Sequence, residues 1–232
     1  MGKKGRKSLR GGNDSDEEGG GERKREDVIL GNIPYVDTRK FVIVFDIDYT
    51  LWPFWVDTHV IPPFKFKERR VGKGKTATEQ IIVDACGREI DLYRDVRGIL
   101  EALKARGFQV GVVSRTEAPH LARRLIEMLK IEQYLGMCVF DTGTKVHSIR
   151  RILDYYNLRN PENDLRDCIL FDDEYRNIAD VNRVKGTAVL IDEDYGLTRQ
   201  VFETNLLKFI TDRGYCGGTK VEKEEEEEEE EE

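Results

Sequence analysis

Residues 41–54 read FVIVFDIDYTLWPF, and this stretch decides the fold. Its first five residues are β-branched or aromatic with no polar alternation, which predicts a strand buried on both faces of a parallel sheet that helices cover. Asp46 and Asp48 follow directly, at the strand's carboxyl end, and point to the same side while strand geometry persists. Ligands of open α/β sheets bind at this edge. Two carboxylates there imply a bound cation, a proton transfer, or both.

The chain beyond Phe108 alternates short apolar strands with amphipathic helices. An earlier helix begins after Asp95 and ends at Gly107, with an apolar face at i, i+3, i+4 and i+7. The later strands are predicted at 109–113, 137–140, 168–171 and 188–191, and the later helices at 119–130, 145–156, 178–184 and 197–212. This order predicts an α/β fold with a doubly wound, mostly parallel, Rossmann-like sheet.

The segment 62–93 interrupts that alternation. Its first part, 62–70, contains two prolines and several basic residues, which predict an irregular excursion. Apolar alternation at 78–83 and 89–93, on either side of the turn-forming residues 84–88, predicts a β-hairpin. Because the segment follows the paired aspartates, we expect a small β-hairpin cap and a candidate lid.

Both ends of the 232-residue chain differ in composition from its middle. Residues 1–27 are rich in glycine and charge, and residues 214–232 end in nine consecutive glutamates, which repel one another. We therefore predict one folded domain at 28–213 between a disordered charged N-terminal tail and a disordered acidic C-terminal tail. The formal net charge is −7, and without those nine glutamates it becomes −7 + 9 = +2.

This charge distribution and the lack of long apolar runs bound the partners and the location. A nearly neutral domain gives no support for nucleic-acid binding, and no apolar run is long enough to span a membrane. Four cysteines without C-x-x-C spacing suggest free thiols, so we expect a soluble, cytoplasmic protein.

The basic residues 3–10 are either a nuclear import signal or part of the tail. The glutamates either favour solvation or bind a basic partner; the oligomeric state is not readable.

Three further polar clusters follow predicted strands. Ser114-Arg115-Thr116 follows 109–113, Lys145 comes shortly after 137–140, and Asp172-Asp173-Glu174 follows 168–171. Because parallel strands end at one edge of the sheet, we expect these side chains to join Asp46 and Asp48. Alone, Ser114 could be a helix cap and Lys145 a solvated charge; the combination favours a site.

Each of these residue types suits a phosphoryl group. A carboxylate that attacks a phosphate meets charge repulsion, which a divalent cation relieves. Mg²⁺ prefers oxygen ligands and usually takes one or two carboxylates, which Asp46 and one of Asp172 or Asp173 supply. Lys145 and Ser114 would hold the phosphate oxygens, and Asp48 is left to move protons.

The aromatic residues after the paired aspartates allow two interpretations. Trp52, Phe54 and Trp55 either line a pocket for an aromatic or sugar ring or pack into the core. The three histidines, His59, His120 and His147, lack metal-site spacing and are interpreted as structural or surface residues. Glu174 receives no role.

The order Asp-x-Asp-x-Thr, then serine, then lysine, then an acidic pair, each after a strand, resembles the haloacid dehalogenase superfamily. The first motif, residues 46–60 with the sequence DIDYTLWPFWVDTHV, is similar to the eukaryotic magnesium-dependent phosphatase family. The resemblance covers roughly residues 38–209. The lengthened basic stretch at 65–75 and the long tails depart from the family pattern.

The resemblance implies a role for the residues of the first motif. Asp46 would be the nucleophile that forms an aspartyl-phosphate and would bind Mg²⁺ through its other oxygen. Asp48 would protonate the leaving oxygen and then activate water, with its backbone carbonyl on the metal. An aspartate at position 48 fits phosphatases and phosphomutases; a dehalogenase would lack this acid and a transport ATPase would have threonine.

The resemblance also implies roles for the later motifs. Ser114 and Arg115 would bind phosphate, and Lys145 would neutralise the nucleophile and the phosphate. Asp172 and Asp173 would hold the metal and orient Lys145, with Asp173 favoured as the direct ligand. Family members resemble small-cap enzymes that act on phosphotyrosine and on amine-linked sugar phosphates.

The leading hypothesis is therefore a magnesium-dependent phosphomonoesterase that acts on a phosphorylated small molecule or phosphoprotein. A phosphomutase would need a larger cap, and the 114 − 48 = 66 positions between Asp48 and Ser114 leave little room for one. A third alternative is a catalytically weak phosphate- or protein-binding module that works through its acidic tail. The complete set of polar residues argues against it.

Overall fold

The apolar run before Asp46 forms the central strand of a five-stranded parallel sheet in the computed structural model, which describes residues 28–72 and 77–216. The strands, in chain order, are β1 (Val42–Phe45), β2 (Lys65–Val71), β3 (Ala77–Val83), β4 (Glu89–Ile90), β5 (Gln109–Ser114), β6 (Met137–Phe140), β7 (Cys168–Asp172) and β8 (Thr187–Leu190). The helices are α1 (Val96–Ala105), α2 (Pro119–Met128), α3 (Lys145–Tyr155), α4 (Tyr175–Arg183) and α5 (Arg199–Arg213).

Strand β1 is buried on both faces, as its lack of polar alternation predicts. Ile43 and Phe45 belong to one apolar cluster that includes buried residues of α1, α2 and α5. Val42 and Val44 belong to a second cluster, with buried residues of α3 and α4. Helices thus cover both faces of the sheet, and the predicted doubly wound α/β class is confirmed.

The order of the strands creates a switch point beside β1. The sheet runs β6-β5-β1-β7-β8, so the chain builds outward from β1 through β5 to β6 and then returns to the other side for β7 and β8. Crevices at such reversals bind ligands at the carboxyl ends of the strands. Here that edge lies at the ends of β1, β5 and β7.

The insertion differs from its prediction in one respect. Strand β2 includes residues 65–70 of the excursion 62–70 that was predicted to be irregular, and it pairs antiparallel with β3 from Lys65 opposite Val83 to Val71 opposite Ala77. The predicted hairpin is present between β3 and β4, although β4 ends at Ile90. Strand β2 escapes prediction because most of its residues are charged and exposed, so it has no alternation of apolar and polar residues.

Helix and domain ends differ slightly from the predicted ones. Helix α4 begins at Tyr175, three residues before its predicted start at residue 178. The prediction missed these residues because the first turn of the helix carries no apolar periodicity. The domain continues past the predicted boundary at residue 213: Tyr215 is buried and stacks on Phe41 with ring centroids 5.0 Å apart, and Cys216 forms a β-bridge with Val36. The rest of the tail predictions, for 1–27 and 217–232, lies outside the described residues. No helix in the described ranges is long and apolar enough to cross a membrane.

Candidate active site

The ends of three strands and the start of one helix bring the predicted site residues together. Asp46 follows β1, Ser114 ends β5, Asp172 ends β7, and Lys145 is the first residue of α3. A cleft of about 350 Å³ opens at this edge. The predicted residues that line it are Asp46, Asp48, Ser114, Arg115, Lys145 and Asp173. Asp172, the remaining one, lies beneath the cleft with no exposed surface.

Lys145 joins two of the aspartates. Its Nζ atom lies 2.6 Å from Oδ1 of Asp46 and 2.5 Å from Oδ2 of Asp172. The helix dipole disfavours a cation at the start of α3, and burial removes water from the ammonium group. The two carboxylates offset both of these unfavourable effects. Burial lowers the pKa of Lys145, but Asp46 and Asp172 outweigh it and raise the pKa overall. The ammonium therefore stays charged.

Asp46 is a buried carboxylate in an excess of negative charge. Burial raises the pKa of Asp46 well above its ordinary value, Lys145 opposes this, and the nearby carboxylates of Asp172 and Asp48 add to it. Oxygens of Asp46, Asp172 and Asp173 lie within 4.8 Å of one another. With Lys145 their formal charge is −3 + 1 = −2, so this donor set of hard oxygens fits a divalent cation.

The two aspartates after β7 have different environments. Asp172 accepts hydrogen bonds from the Asn177 amide at 3.0 and 3.2 Å and from the Glu174 backbone N–H at 2.9 Å, besides its contact with Lys145. No side chain in the described ranges donates a hydrogen bond to Asp173, whose pKa burial and the neighbouring Asp172 raise to about 6. Asp173 thus has an uncommitted carboxylate among the described residues, and its preference over Asp172 as the direct metal ligand stays a prediction.

Asp48 carries a carboxyl group suited to proton transfer near neutral pH. Its Oδ1 accepts the indole N–H of Trp52 at 2.7 Å and the backbone N–H of Val56 at 3.2 Å. Burial raises the pKa of Asp48 to about 6, although both hydrogen bonds act in the opposite direction. A general acid and base works best with a pKa near the working pH.

The aromatic residues of the first motif divide between the two interpretations. Trp52 and Phe54 are buried in the core, whereas Trp55 is 47% exposed and lines the cleft. Trp55 stacks on His59, with ring centroids 5.0 Å apart and 24° between the planes. The Tyr49 hydroxyl lies 3.3 Å from Nδ1 of His59. His59, interpreted from the sequence as a structural or surface residue, therefore supports an aromatic wall.

The cleft is also lined by hydroxyl and guanidinium groups. Ser114 is buried, and its Oγ accepts the backbone N–H of Thr116 at 3.2 Å. Nη1 of Arg115 lies 3.8 Å from Oε2 of Glu174, and its buried Nε has no hydrogen-bond partner among the described residues. An N–H group with no acceptor beside the cleft suits an incoming anion.

Asn177 and Asp57 are among the polar residues of the site that were not predicted, and both link parts of it. Asn177 is buried and donates to Asp172 and to Glu174. Oδ2 of Asp57 accepts from the Thr116 hydroxyl and the Glu117 backbone N–H, each at 3.3 Å, and so ties the first-motif loop to the end of β5. Asp57 could have been found as the third acid of residues 46–60, but a lone asparagine inside a helix gives no signal.

The described residues of the insertion, 62–72 and 77–93, do not form the expected lid. No residue of the sheet β2-β3-β4 lines the cleft, and Trp55, Asp57 and Thr58 of the preceding loop do so. The sheet instead lies beside Arg97 and residues 128–130, which share another surface cavity with it. Among the residues that the structure describes, the insertion therefore leaves the cleft uncovered.

The sequence profile of the Acid Phosphatase family matches residues 40–212, a range that holds every one of these site residues. The chain belongs to this family. As the first motif predicts, it is a member of the haloacid dehalogenase superfamily and of its magnesium-dependent phosphatases.

Relatives with similar sequences agree with this assignment. Magnesium-dependent phosphatase 1 of Homo sapiens is 32% identical over 72% of this chain and 85% of its own length. A HAD-like hydrolase superfamily protein of Schizosaccharomyces pombe is 36% identical over 58% of this chain and 76% of its own. A deoxy-D-mannose-octulosonate 8-phosphate phosphatase structure from Haemophilus influenzae is more distant, with a TM-score of 0.44, 13% identity, and coverage of 76% of this chain and 88% of its own.

Proposed function

We propose that this protein is a magnesium-dependent phosphomonoesterase that works through an aspartyl-phosphate on Asp46. One observation carries the proposal: Lys145 lies between Asp46 and Asp172 at 2.6 and 2.5 Å, while Asp173 has no side-chain donor among the described residues. This arrangement leaves one oxygen of Asp46 for attack on phosphorus, and it leaves the carboxylates of Asp46 and Asp173 to bind a cation. The name of the human relative, a magnesium-dependent phosphatase, supports the same metal.

The reaction divides between Asp46 and Asp48. An Asp46 oxygen attacks phosphorus, the bond from phosphorus to the ester oxygen breaks, and Asp48 gives its proton to the departing alkoxide. Asp48, now a carboxylate, takes a proton from a water molecule that attacks the phosphorus of the aspartyl-phosphate. The bond to Asp46 then breaks, and inorganic phosphate leaves with both carboxyl groups in their starting states.

The remaining residues bind the phosphoryl group and hold the metal. Asp46 and Asp173 would hold Mg²⁺, with Asp172 keeping Lys145 in place behind them. Bound Mg²⁺ would supply positive charge that offsets repulsion between the nucleophile and the phosphate. Ser114, Arg115 and Lys145 would donate hydrogen bonds to the phosphoryl oxygens, whose charge grows in the transition state.

The substrate class that the cleft favours is a phosphate ester on an exposed aromatic ring, such as phosphotyrosine. Trp55 offers half of its surface beside Asp48, and its plane is fixed by His59. An open cleft admits a protein side chain as well as a metabolite. Amine-linked sugar phosphates, whose rings also pack on indole faces, are the second candidate.

Two rival activities fit less well. A phosphomutase must enclose its substrate while the aspartyl-phosphate is shielded from water, and the sheet β2-β3-β4 leaves the cleft uncovered. A binding module would not need a buried lysine between two carboxylates together with an acid at position 48. A basic partner for the glutamate run, and residence in the cytoplasm or nucleus, stay predictions.

Hydrolysis of p-nitrophenyl phosphate tests the proposal. The chain should turn over this ester with Mg²⁺ and stop when EDTA removes the metal. Asp46→Asn keeps the shape of the side chain and should abolish turnover, whereas Asp212→Asn, an exposed change on α5, should leave it unchanged. Full activity of Asp46→Asn would refute the catalytic role, and activity in EDTA would refute the metal requirement.

A further inference from the structure

We infer that Trp52 is a positioning residue for proton transfer, which fixes Asp48 so that only its Oδ2 atom exchanges protons with substrate and water. This inference rests on the proposed function, because it concerns the acid and base of that reaction. It gives Trp52 a role beyond core packing.

The hydrogen bonds of Asp48 carry the inference. Both N–H groups that reach Asp48, from the Trp52 indole at 2.7 Å and from the Val56 backbone at 3.2 Å, donate to the same oxygen, Oδ1. A carboxyl oxygen that accepts two N–H bonds cannot also carry a proton without losing one of them. The proton therefore resides on Oδ2, which accepts no hydrogen bond from the described residues. Asp48 itself lines the cleft.

Trp52 is held firmly enough to act in this way. Its side chain has no exposed surface and stacks on Phe54, with ring centroids 5.4 Å apart and 5° between the planes. The backbone N–H groups of Leu51 and Trp52 both donate to the Ile47 carbonyl, which turns the loop back onto Asp48. Tyr49 adopts a left-handed φ of 52° within that turn. Strained backbone of this kind is concentrated at functional sites.

The two steps of the reaction depend on this positioning to different degrees. Transfer of the phosphoryl group from an ester with a good leaving group needs no proton from Asp48. Hydrolysis of the aspartyl-phosphate always needs Asp48 as base, whatever the leaving group was. Loss of the Trp52 N–H should therefore slow hydrolysis and spare phosphorylation by p-nitrophenyl phosphate.

The test is Trp52→Phe in the full chain with Mg²⁺, followed by rapid acid quench during turnover of p-nitrophenyl phosphate. We expect the rate of phosphoenzyme formation to stay within about threefold of wild type, and the rate of its hydrolysis to fall about tenfold or more. The variant should then accumulate phosphoenzyme, so kcat and KM should fall together while kcat/KM changes little. With an alkyl phosphate, which needs the acid as well, both rates should fall.

Phe209→Leu is the control for loss of a buried ring, because Phe209 packs on Phe41 and Tyr215 and makes no ring contact with Trp52. It should not accumulate phosphoenzyme. If Trp52→Phe does not fold, benzothienylalanine at position 52 replaces the N–H by sulfur with the ring shape kept. Equal loss of both rates in the Trp52 variant, or accumulation in Phe209→Leu, would overturn the inference. A wild-type chain that turns over without any phosphoenzyme would refute the proposed function instead.

Discussion

The Nζ atom of Lys145 lies 2.6 Å from Oδ1 of Asp46, and both side chains are almost fully buried. Burial alone favours the protonated form of Asp46, which cannot act as a nucleophile. The neighbouring ammonium favours the carboxylate and also places positive charge where the phosphoryl group would arrive. In the proposed reaction the pair would therefore have an electrostatic role, and it has a structural role in the folded chain.

Lys145→Met should lose both roles. Removing the ammonium leaves Asp46 and Asp172 buried without a counter-charge, so we expect the free energy of unfolding to fall by about 3–5 kcal/mol. Turnover should drop about 100-fold or more, because a donor to the transition state is lost. Urea unfolding and p-nitrophenyl phosphate hydrolysis measure the two effects. Lys104→Met, an exposed change on α1, should alter neither, and unchanged stability in Lys145→Met would contradict the burial of this pair.

The pH profile should follow Asp48, whose pKa burial raises to about 6. The acid form gives its proton to the leaving oxygen, and it is present below pH 6 and lost as the pH rises. For an alkyl phosphate, kcat/KM should therefore fall towards tenfold per pH unit above about 6. Asp48→Asn should lack this decrease in its residual activity. If both proteins showed the same profile, the decrease would belong to the substrate and not to Asp48.

Asp173→Asn should change stability in opposite directions with and without metal. Burial and Asp172 raise the pKa of Asp173 to about 6, so its ionised form destabilises the metal-free fold at pH 7, and asparagine should raise the Tm. In the wild type, Mg²⁺ at 100 times its Kd should add about 2.7 kcal/mol of stability. Most of this Mg²⁺-dependent gain in stability should be lost in Asp173→Asn, whereas Asp212→Asn should keep it. A full Mg²⁺ response in Asp173→Asn would contradict its role as a ligand.

Much of this site could be predicted because its residues follow apolar strands. The run before Asp46 and the one before Asp172 are buried on both faces, so each gives a strong strand signal and fixes the position of the acid after it. The position of Lys145 follows from the Thr144 cap of α3, whose hydroxyl accepts the His147 N–H. The distances among these side chains depend on tertiary packing and could not be predicted, and the preference for Asp173 over Asp172 rests on the family resemblance and not on spacing.

Other features carry no local signal. Asn177 is one polar residue in a helix until the fold places it against Asp172. Strand β2 is stabilised by backbone pairing with β3 and not by burial, so its charged sequence predicts a loop. Trp52 and Trp55 have the same residue type three positions apart, yet one is buried against Asp48 and the other faces the cleft.

Trp55→Ala tests the aromatic wall. Contact with an aromatic ring contributes about 0.5–1.5 kcal/mol, so KM for phosphotyrosine should rise about 2- to 12-fold. KM for glycerol phosphate, which has no ring, should change little, and kcat should be nearly unchanged for both. Trp55→Phe should restore most of the difference. An equal rise in KM for both substrates would indicate a general effect on the cleft and contradict a preference for rings.

The nucleophilic role of Asp46 is the central claim, and trapping the phosphoenzyme tests it most directly. The wild-type chain is mixed with p-nitrophenyl phosphate and Mg²⁺, quenched in acid within the first turnover, and reduced with borohydride, which converts an aspartyl-phosphate to homoserine. Mass spectrometry of the peptides should then find homoserine at position 46 and no conversion in Asp46→Asn. Conversion at another residue, or steady turnover with none at position 46, would contradict the account.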